Sequence, residues 1–417
     1  MMINKNIRPG GGQADPHALV VGEKVYIFSG HDKSAKTEDT WRMDKWKIFS
    51  SDNLVDWKDE GDILPTDTYI GDQDHCWAGY ITEKDGKYYW FFSNKFIDTG
   101  VLVSDSITGP FVDVKGAPVI PEGICPSRSY DPCVFEENGV HTIFFGAGTY
   151  YYATLADDMM SIIDEPKPLP VFDADGNKKG TEDKSTVFKY KGKYYLAFGS
   201  HYCMSDNLTG PYLYAGRFCG GGHNDVFEFK GKMYACNEFH DTNIFYRGIR
   251  VMELNFDENG KIIIDKDDEL DAAEYKNWDF TEHDMKWFLT DMSDCNWTKD
   301  GFDYELDEKL GLRSPIWPGL LIKGENKLEV KISNTSLAKS VKIEVISIAE
   351  QKGYWNKPDC DENSYVIELA QDTAEHSYEI NLITDTSRPT YIKKVTVRGT
   401  GDSGKILLKG IFCKKIK

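Results

Sequence analysis

The chain of 417 residues is 40% hydrophobic and 13% aromatic, and it carries a formal net charge of −19. This composition predicts a globular protein of two domains and excludes a disordered acidic chain. It also excludes nucleic acids as partners, because they are bound by clustered Lys and Arg, and no such cluster occurs. Neutral sugars are compatible with an acidic, aromatic-rich protein, although the charge is equally consistent with ordinary solubility.

Segments that direct a chain to a membrane or out of the cell are not evident. No apolar run approaches the roughly 20 residues that span a bilayer, and residues 1–12 contain no apolar core typical of a signal peptide. The cysteines are odd in number and lack the CxxC spacing of zinc sites, which predicts free thiols. They are Cys76, Cys125, Cys133, Cys203, Cys219, Cys236, Cys295, Cys360 and Cys413. We therefore expect a cytoplasmic protein with no membrane partner, or a secreted or periplasmic one if a leader has been removed.

A short phrase recurs five times before about residue 240: a glycine turn followed by alternating aromatic and apolar residues. The copies are Val21–Ser29, Asp85–Ser93, Asn138–Gly146, Lys191–Gly199 and Lys230–Glu238. Each copy is typical of a tight turn that leads into a strand, and an apolar strand precedes most of them. The repeating unit is therefore at least a β-hairpin.

A second phrase marks a further strand in several units. It reads Phe49–Asp52, then Val103–Asp105 with Gly109–Phe111, and then Met204–Asp206 with Gly210–Tyr212. Three to four antiparallel strands that repeat every 40 to 60 residues or so are typical of β-propeller blades. Five copies predict a five-bladed β-propeller, and the alternative is an antiparallel sandwich or barrel with similar hairpins.

The repeats stop after about Asp265, and a second all-β domain follows. Strands of period two recur at residues 328–332, 341–345, 391–397 and 405–412. This pattern predicts a β-sandwich of jelly-roll type, with the propeller in residues 1–265 and the sandwich in residues 266–417. Five tryptophans belong to this region: Trp278, Trp287, Trp297, Trp317 and Trp355. We expect them in the core rather than on sugars, since buried tryptophans are the commoner case.

Acidic residues stand just before the first strand of three blades. They are Asp15 before Pro16, Asp131 before Pro132, and the pair Glu182 and Asp183. Because the innermost strands of all blades converge on the propeller axis, these carboxyl groups are expected to meet there. Proline favours an extended conformation of the preceding residue, which would aim Asp15 and Asp131 alike. The other interpretation is that each Asp-Pro merely begins a turn.

Three convergent carboxyl groups match the needs of a glycosidase. One group must be protonated to assist the leaving group, and another must be ionised to activate water or to attack the sugar. A third nearby carboxylate would raise the pKa of the acid by repulsion between like charges.

Residues 8–255 resemble glycoside hydrolase family 43, the five-bladed propellers that cleave xylosides, arabinosides, arabinans and galactans. The hairpin rhythm and the Asp positions carry this resemblance, which implies inverting hydrolysis of a xylo-, arabino- or galacto-oligosaccharide. It also implies that Asp15 is the general base and that Asp131 orients the acid and tunes its pKa. The acid is Glu182 if the loop carries one extra residue, and Asp183 if the count back from Gly192 has no gap.

The same resemblance suggests further site residues. His223 matches a channel histidine that often faces a calcium ion or water, so calcium is the one cofactor considered and none is required. Either Arg247 or Arg250 matches an active-site arginine, and Trp77 matches an aromatic wall against the sugar. The family's Pro and Asp beyond that tryptophan are Gly79 and Tyr80 here, which suggests an unusual glycan.

Two other functions fit parts of the sequence. A catalytically silent sugar-binding propeller would explain the irregular acid loop. A glycan phosphorylase would need a cationic phosphate pocket, and no dense set of Arg and Lys accompanies the acids.

Overall fold

The computed structural model describes residues 2–37, 40–217, 222–263, 278–316, 320–322, 327–349, 361–382, 390–401 and 403–414. All regular structure in these ranges is β-strand except for one 3-10 turn at Pro65–Asp67. The predicted all-β class is therefore confirmed. None of the described residues forms a helix long and apolar enough to cross a membrane.

The chain divides into two compact units. One comprises Met1–Lys33, Trp41–Phe239 and Tyr246–Leu270, and the other comprises Ser34–Thr40, His240–Phe245 and Asp271–Lys417. The predicted boundary at residues 265 and 266 lies outside the described residues, so it stays a prediction.

Strands β1 to β21 occupy residues 2–263. The first eight are β1 (Met2–Asn4), β2 (Gln13–Val21), β3 (Lys24–Asp32), β4 (Met43–Ser51), β5 (Lys58–Ile63), β6 (Cys76–Lys84), β7 (Lys87–Asn94) and β8 (Asp98–Ser104). The next nine are β9 (Cys133–Glu137), β10 (Val140–Phe145), β11 (Tyr151–Thr154), β12 (Lys167–Pro168), β13 (Val171–Phe172), β14 (Thr186–Tyr190), β15 (Lys193–Phe198), β16 (His201–Ser205) and β17 (Tyr212–Arg217). The last four are β18 (Asn224–Phe229), β19 (Lys232–Asn243), β20 (Tyr246–Phe256) and β21 (Ile262–Ile263).

These strands form five sheets among the described residues 2–263, in the order of the predicted blades. The sheet orders are β2-β3-β4-β5, β6-β7-β8, β12-β11-β10-β9, β13-β17-β16-β15-β14 and β1-β20-β19-β18, with β21 beside β20. Each sheet contains one copy of the hairpin phrase, so the five-bladed prediction is confirmed. The N-terminal strand β1 completes the last blade by pairing antiparallel with β20.

The hairpin turns explain why the phrase recurs. In four of the five, both turn residues have positive φ, as in Asp85 (54°) and Gly86 (76°). This is the type I′ geometry, whose twist matches that of the flanking strands and which favours Asn, Asp and Gly. The glycine of the phrase therefore fixes the pairing register of each blade.

Strands β22 to β33 belong to the C-terminal region. They are β22 (Trp278–Asp279), β23 (Phe288–Leu289), β24 (Asn296–Thr298), β25 (Gly301–Leu306), β26 (Leu312–Arg313), β27 (Leu320–Ile322), β28 (Lys327–Asn334), β29 (Ser340–Ala349), β30 (Asp361–Glu368), β31 (Glu375–Asn381), β32 (Thr390–Gly399) and β33 (Gly404–Lys414). Within the described residues they form two sheets of six strands, and alternate residues of both sheets enter one apolar core. This is the predicted sandwich.

The tryptophans of this region follow the core prediction where they are described. Trp278 and Trp287 are buried in the sandwich core. Trp297 is half-buried, and its indole Nε1 donates to the carbonyl oxygen of Phe280 at 2.7 Å. Trp317 and Trp355 lie outside the described residues.

Candidate active site

The side chains at one position of the blade repeat lie at the centre of the propeller. It lies seven residues before the first residue of the hairpin turn, and its occupants in blades one to five are Asp15, Ala78, Asp131, Lys184 and His223. Because this position has the same place in every blade, it brings residues far apart in sequence to the axis. The structure thus joins Asp15, Asp131 and His223, as the sequence predicted.

The backbone at three of these positions is left-handed. The φ angles are 53° at Asp15, 57° at Asp131 and 44° at Lys184. The extended geometry predicted for the Asp-Pro pairs is therefore wrong, although both aspartates do share one conformation. In this conformation each backbone amide donates a hydrogen bond to a side chain of the preceding blade. The amide of Asp15 donates to Glu238 Oε2 at 3.0 Å, and the amide of Asp131 donates to Ser93 Oγ at 2.9 Å. The amide of Lys184 donates to Asp131 Oδ2 at 3.0 Å. These bonds to preceding blades offset a strain of about 1–3 kcal/mol per residue.

Arg247 links three buried carboxylates around the first of these positions. Its guanidinium donates to both oxygens of Asp32 at 2.9 and 3.0 Å, to Asp15 Oδ1 at 3.0 Å and to Glu238 Oε2 at 2.9 Å. The Trp41 ring covers it, with the guanidinium carbon 5.6 Å from the ring centroid. All three guanidinium nitrogens of Arg247 therefore donate to carboxylates, and Asp15 is held in one orientation.

His223 approaches the same aspartate from the other side. Its Nδ1 lies 2.6 Å from Asp15 Oδ1, and its Nε2 lies 3.4 Å from Asp183 Oδ1 and 4.0 Å from Asp131 Oδ2. Burial opposes ionisation of Asp15, but Arg247 and His223 hold its pKa well below the ordinary value. Asp15 is thus an ionised carboxylate at neutral pH.

Asp131 has the opposite electrostatic environment. It is buried, Oδ2 accepts the amide of Lys184, and Oδ1 has no hydrogen-bond partner among the described residues. Burial raises its pKa to about 8, and the charges of Asp183 and Asp15 act in the same direction against His223 and Lys184. Two aspartates at one blade position therefore differ in protonation because only one of them contacts a guanidinium.

The two candidate acids of the fourth blade also differ. Burial opposes ionisation of Asp183, but the imidazole of His223 lowers its pKa below the ordinary value. Burial and the neighbouring Asp183 raise the pKa of Glu182. The Glu182 carboxyl group lies over Gly199, where an added side-chain carbon would come within 1.6 Å of Oε2. Glycine therefore leaves room for this carboxyl group.

Aromatic rings surround the approach to these carboxyl groups. Trp77 is half-buried and lies edge-on to Trp41 (6.3 Å between ring centroids), Phe96 (6.1 Å) and Tyr130 (6.3 Å). Tyr130 precedes Asp131 in the chain. This arrangement offers apolar ring surface beside the acids, which suits the apolar face of a sugar.

Known protein families and solved structures agree with this geometry. The sequence profile of glycosyl hydrolases family 43 matches residues 9–262. The chain belongs to glycosyl hydrolase family 43. A xylosidase/arabinosidase from Bacteroides ovatus is 30% identical over 319 residues, which cover 61% of this chain and 95% of that protein. A β-xylosidase from Xylanibacter ruminicola is 27% identical and covers 63% of this chain and 99% of its own length.

Solved structures of family 43 members agree. A β-xylosidase/α-arabinofuranosidase from a compost metagenome, described as a calcium-free complex with xylotriose, is 26% identical with a TM-score of 0.56, over 64% of this chain and 98% of that one. An arabinoxylan arabinofuranohydrolase from Bacillus subtilis is 16% identical with a TM-score of 0.51 and covers 99% of both chains, which shows the fold alone. The chain is accordingly a family 43 glycoside hydrolase with a further C-terminal β region.

Arg250, the other arginine predicted for the site, has described contacts with Asn237 and Phe239. It is buried, its Nε donates to Asn237 Oδ1 at 3.1 Å, and its guanidinium carbon lies 5.8 Å from the centroid of the Phe239 ring. Arg247 contacts the carboxylates of Asp15, Asp32 and Glu238.

Several central residues of this family 43 site escaped sequence reasoning, namely Asp32, Trp41, Lys184 and Glu238. Asp32 ends the second strand of the first blade, whereas Glu238 lies within the second strand of the last blade. Counting seven residues back from each turn would have found Lys184. Its buried Nζ donates to the carbonyl oxygen of Gly79 at 3.2 Å and lies 5.9 Å from the Tyr80 ring centroid, so the fourth blade contributes a cation to the axis.

Proposed function

We propose that the protein hydrolyses xylose- or arabinose-containing oligosaccharides with inversion at the anomeric carbon. The observation that carries this proposal is the contrast at the axis. There an aspartate held ionised by Arg247 and His223 lies within one cluster with carboxyl groups whose pKa is raised. A glycosidase needs both protonation states at once. The names of the curated relatives support the choice of sugars.

In this mechanism Asp15 is the general base. Its carboxylate accepts a proton from a water molecule as that water attacks the anomeric carbon on the face opposite the leaving group. Arg247, which contacts Asp15, Asp32 and Glu238, acts as a positioning residue rather than as a substrate ligand. The depressed pKa keeps Asp15 ionised before substrate binds.

We assign the general acid to Glu182, with Asp183 as the alternative. The acid gives its proton to the glycosidic oxygen as the bond to the anomeric carbon breaks, so it must be protonated near neutral pH. The raised pKa of Glu182 favours that state, whereas His223 favours the ionised form of Asp183. Asp131, whose charge interacts with that of Asp183, tunes and orients the acid in this proposal, and Trp77 lines the sugar site.

We propose that this site also binds a calcium ion. The Nε2 of His223 faces Asp131 and Asp183, and these three residues offer ligand atoms that lie within 4.8 Å of one another. The unpartnered Asp131 Oδ1 supports this proposal, because calcium prefers carboxylate oxygens as ligands. Bound calcium would supply positive charge among the acids. A rise in melting temperature when Ca²⁺ is added to EDTA-treated protein would support this, and no rise would contradict it.

We also propose a cellular location and a division of the chain into domains. We infer a reducing, cytoplasmic location, because Cys76, Cys125, Cys133, Cys203 and Cys295 are free thiols. We also propose residues 1–265 as the catalytic propeller and residues 266–417 as an accessory sandwich. Fractionation of cells and limited proteolysis test these two assignments.

The hydrolase is tested with a panel of aryl β-D-xyloside, α-L-arabinofuranoside and β-D-galactoside. Wild-type protein is expected to release aryl alcohol from the xyloside or the arabinofuranoside, and Asp15→Asn to lower kcat by a factor of about 10² to 10⁴. Asp52→Asn, which changes an exposed carboxylate of the same blade, is the matched control and keeps full activity. Binding of oligosaccharide without release by wild type would instead indicate a silent sugar-binding propeller.

A further inference from the structure

Two cationic side chains flank an exposed phenylalanine at the end of the second blade. Phe96 is 43% exposed at the tip of the β7–β8 hairpin. The guanidinium carbon of Arg128 and the Nζ of Lys95 each lie 5.3 Å from the centroid of its ring. Lys95 Nζ is also 6.0 Å from the ring centroid of Trp77. We call Lys95, Phe96 and Arg128 the cationic rim.

The cationic rim lies on the same face of the propeller as the acids. Strand β7 ends at Asn94, and Ser93 in that strand accepts the amide hydrogen of Asp131. Arg128 is separated from Asp131 by only Ser129 and Tyr130, and Trp77 contacts both Phe96 and Tyr130. The positive charge of Arg128 also acts on the Tyr130 hydroxyl, whose pKa is raised by burial and by Asp131, Asp183 and Asp15. The rim therefore continues the aromatic wall of the site.

These two cations differ from most lysines on this blade. Lys84 pairs with Asp85 and Asp157, and Lys87 pairs with Asp105. No described carboxylate lies within ion-pair distance of Lys95 or Arg128, in a chain whose net charge is −19. Within the described part of the chain, the charged groups of Lys95 and Arg128 lie against the rings of Trp77 and Phe96. Both charges are thus available to an anionic ligand.

We propose that the cationic rim is a subsite for a uronic acid, that is, a sugar carrying a carboxylate, adjacent to the sugar whose bond is cleaved. The Phe96 ring would pack against the apolar face of the pyranose, and Arg128 and Lys95 would bind its carboxylate. An isolated phosphate would use the charges but leave the exposed ring without a partner. This inference rests on the proposed function, since it defines the substrate class of the same site.

The test compares a neutral xylo-oligosaccharide with the same oligosaccharide carrying a glucuronic acid branch next to the scissile bond. The readout is the ratio of kcat/KM for the acidic substrate to that for the neutral one. We expect wild type to favour the acidic substrate by about 5-fold at low salt and to lose this preference at high salt. The double variant Lys95→Gln/Arg128→Gln is expected to bring the ratio close to one.

Lys87→Gln is the matched control, because it removes one exposed positive charge from the opposite end of the same strand. It should keep the wild-type ratio. Binding of both oligosaccharides to Asp15→Asn protein, measured by calorimetry, tests the subsite separately from hydrolysis. Failure to hydrolyse either substrate, together with tighter binding of the acidic one, would contradict the proposed function and keep the subsite. A wild-type ratio near one, or a ratio that the double variant leaves unchanged, would overturn the subsite.

Discussion

The propeller axis and the sandwich core are both buried β structure, yet they are built from opposite chemistry. Val330, Ile343 and Leu408 are fully buried in the sandwich among other aliphatic side chains. The propeller axis instead buries Asp15 and Arg247 in an ionic network. Burial of apolar side chains lowers the free energy of the folded state directly. Burial of ions costs desolvation free energy, which their attraction offsets only when every partner is present.

The difference shows where selection for stability gives way to selection for chemistry. The axis combines left-handed backbone at Asp15, Asp131 and Lys184 with a buried carboxyl oxygen that lacks a described partner. Such features cost stability and are tolerated at functional sites. The described sandwich core consists of apolar side chains.

The largest effect expected from this contrast is on the rate of hydrolysis. Glu182→Gln should lower kcat/KM by a factor of about 10² to 10⁴ for a disaccharide, whose leaving group needs a proton. The loss should be much smaller for a dinitrophenyl glycoside, whose leaving group does not. Because burial and Asp183 raise the pKa of Glu182, the wild-type rate should fall as pH rises through that pKa, and the variant should lose this dependence.

Asp183→Asn is the matched change at the neighbouring position. It should leave the dependence on the leaving group as in wild type. If Asp183→Asn loses that dependence and Glu182→Gln keeps it, the acid is Asp183 and the loop has no extra residue.

The next effect in size is on the free energy of unfolding, and one variant in each region allows a direct comparison. Arg247→Met leaves three buried carboxylates without their guanidinium and should lower the free energy of unfolding by about 3–5 kcal/mol. Ile343→Ala opens a cavity in the sandwich core and should cost about 2–5 kcal/mol. Urea unfolding measures both losses.

Activity distinguishes these two variants. Assayed well below the unfolding transition, Arg247→Met should lose most of its kcat because Asp15 is no longer held, and Ile343→Ala should keep it. A fall in kcat of the folded Ile343→Ala protein would mean that the sandwich takes part in catalysis.

The smallest effect concerns two half-buried tryptophans. Trp77→Ala removes aromatic surface beside the acids and should raise KM for oligosaccharides by roughly 10-fold. Trp297→Ala in the sandwich should leave KM unchanged, since its indole serves a local hydrogen bond. Steady-state kinetics on xylo-oligosaccharides measure both, and equal rises in KM would make the sandwich a sugar-binding domain.

The fold was largely predictable because short local sequence patterns specify its turns. A type I′ turn needs positive φ at both central residues, so Asp85-Gly86 and its counterparts mark four of the five blades in the sequence, and Gly22 alone marks the first. Asp15 and Asp131 were found because each precedes a proline at the start of its blade. The sandwich has no repeat, and its boundary was placed only where the propeller phrase ended.

The rest of the site depends on long-range contacts that no local pattern reports. Asp32 ends strand β3 and Glu238 lies within strand β19, and only their joint contact with Arg247 gives them a role. The left-handed backbone of Asp15 follows from a hydrogen bond to Glu238, 223 residues away. A one-residue difference in loop length separates Glu182 from Asp183, and spacing alone cannot resolve it.

The central claim is that the axial carboxylates hydrolyse a glycosidic bond in a single inverting step with Asp15 as base. The most direct measurement is proton NMR of the first-formed sugar during hydrolysis of a β-xyloside, with Asp15→Asn protein run in parallel. We predict that wild type releases α-xylose, which then mutarotates, and that the variant releases almost none. First-formed β-xylose, or equal release by the variant, would contradict the account.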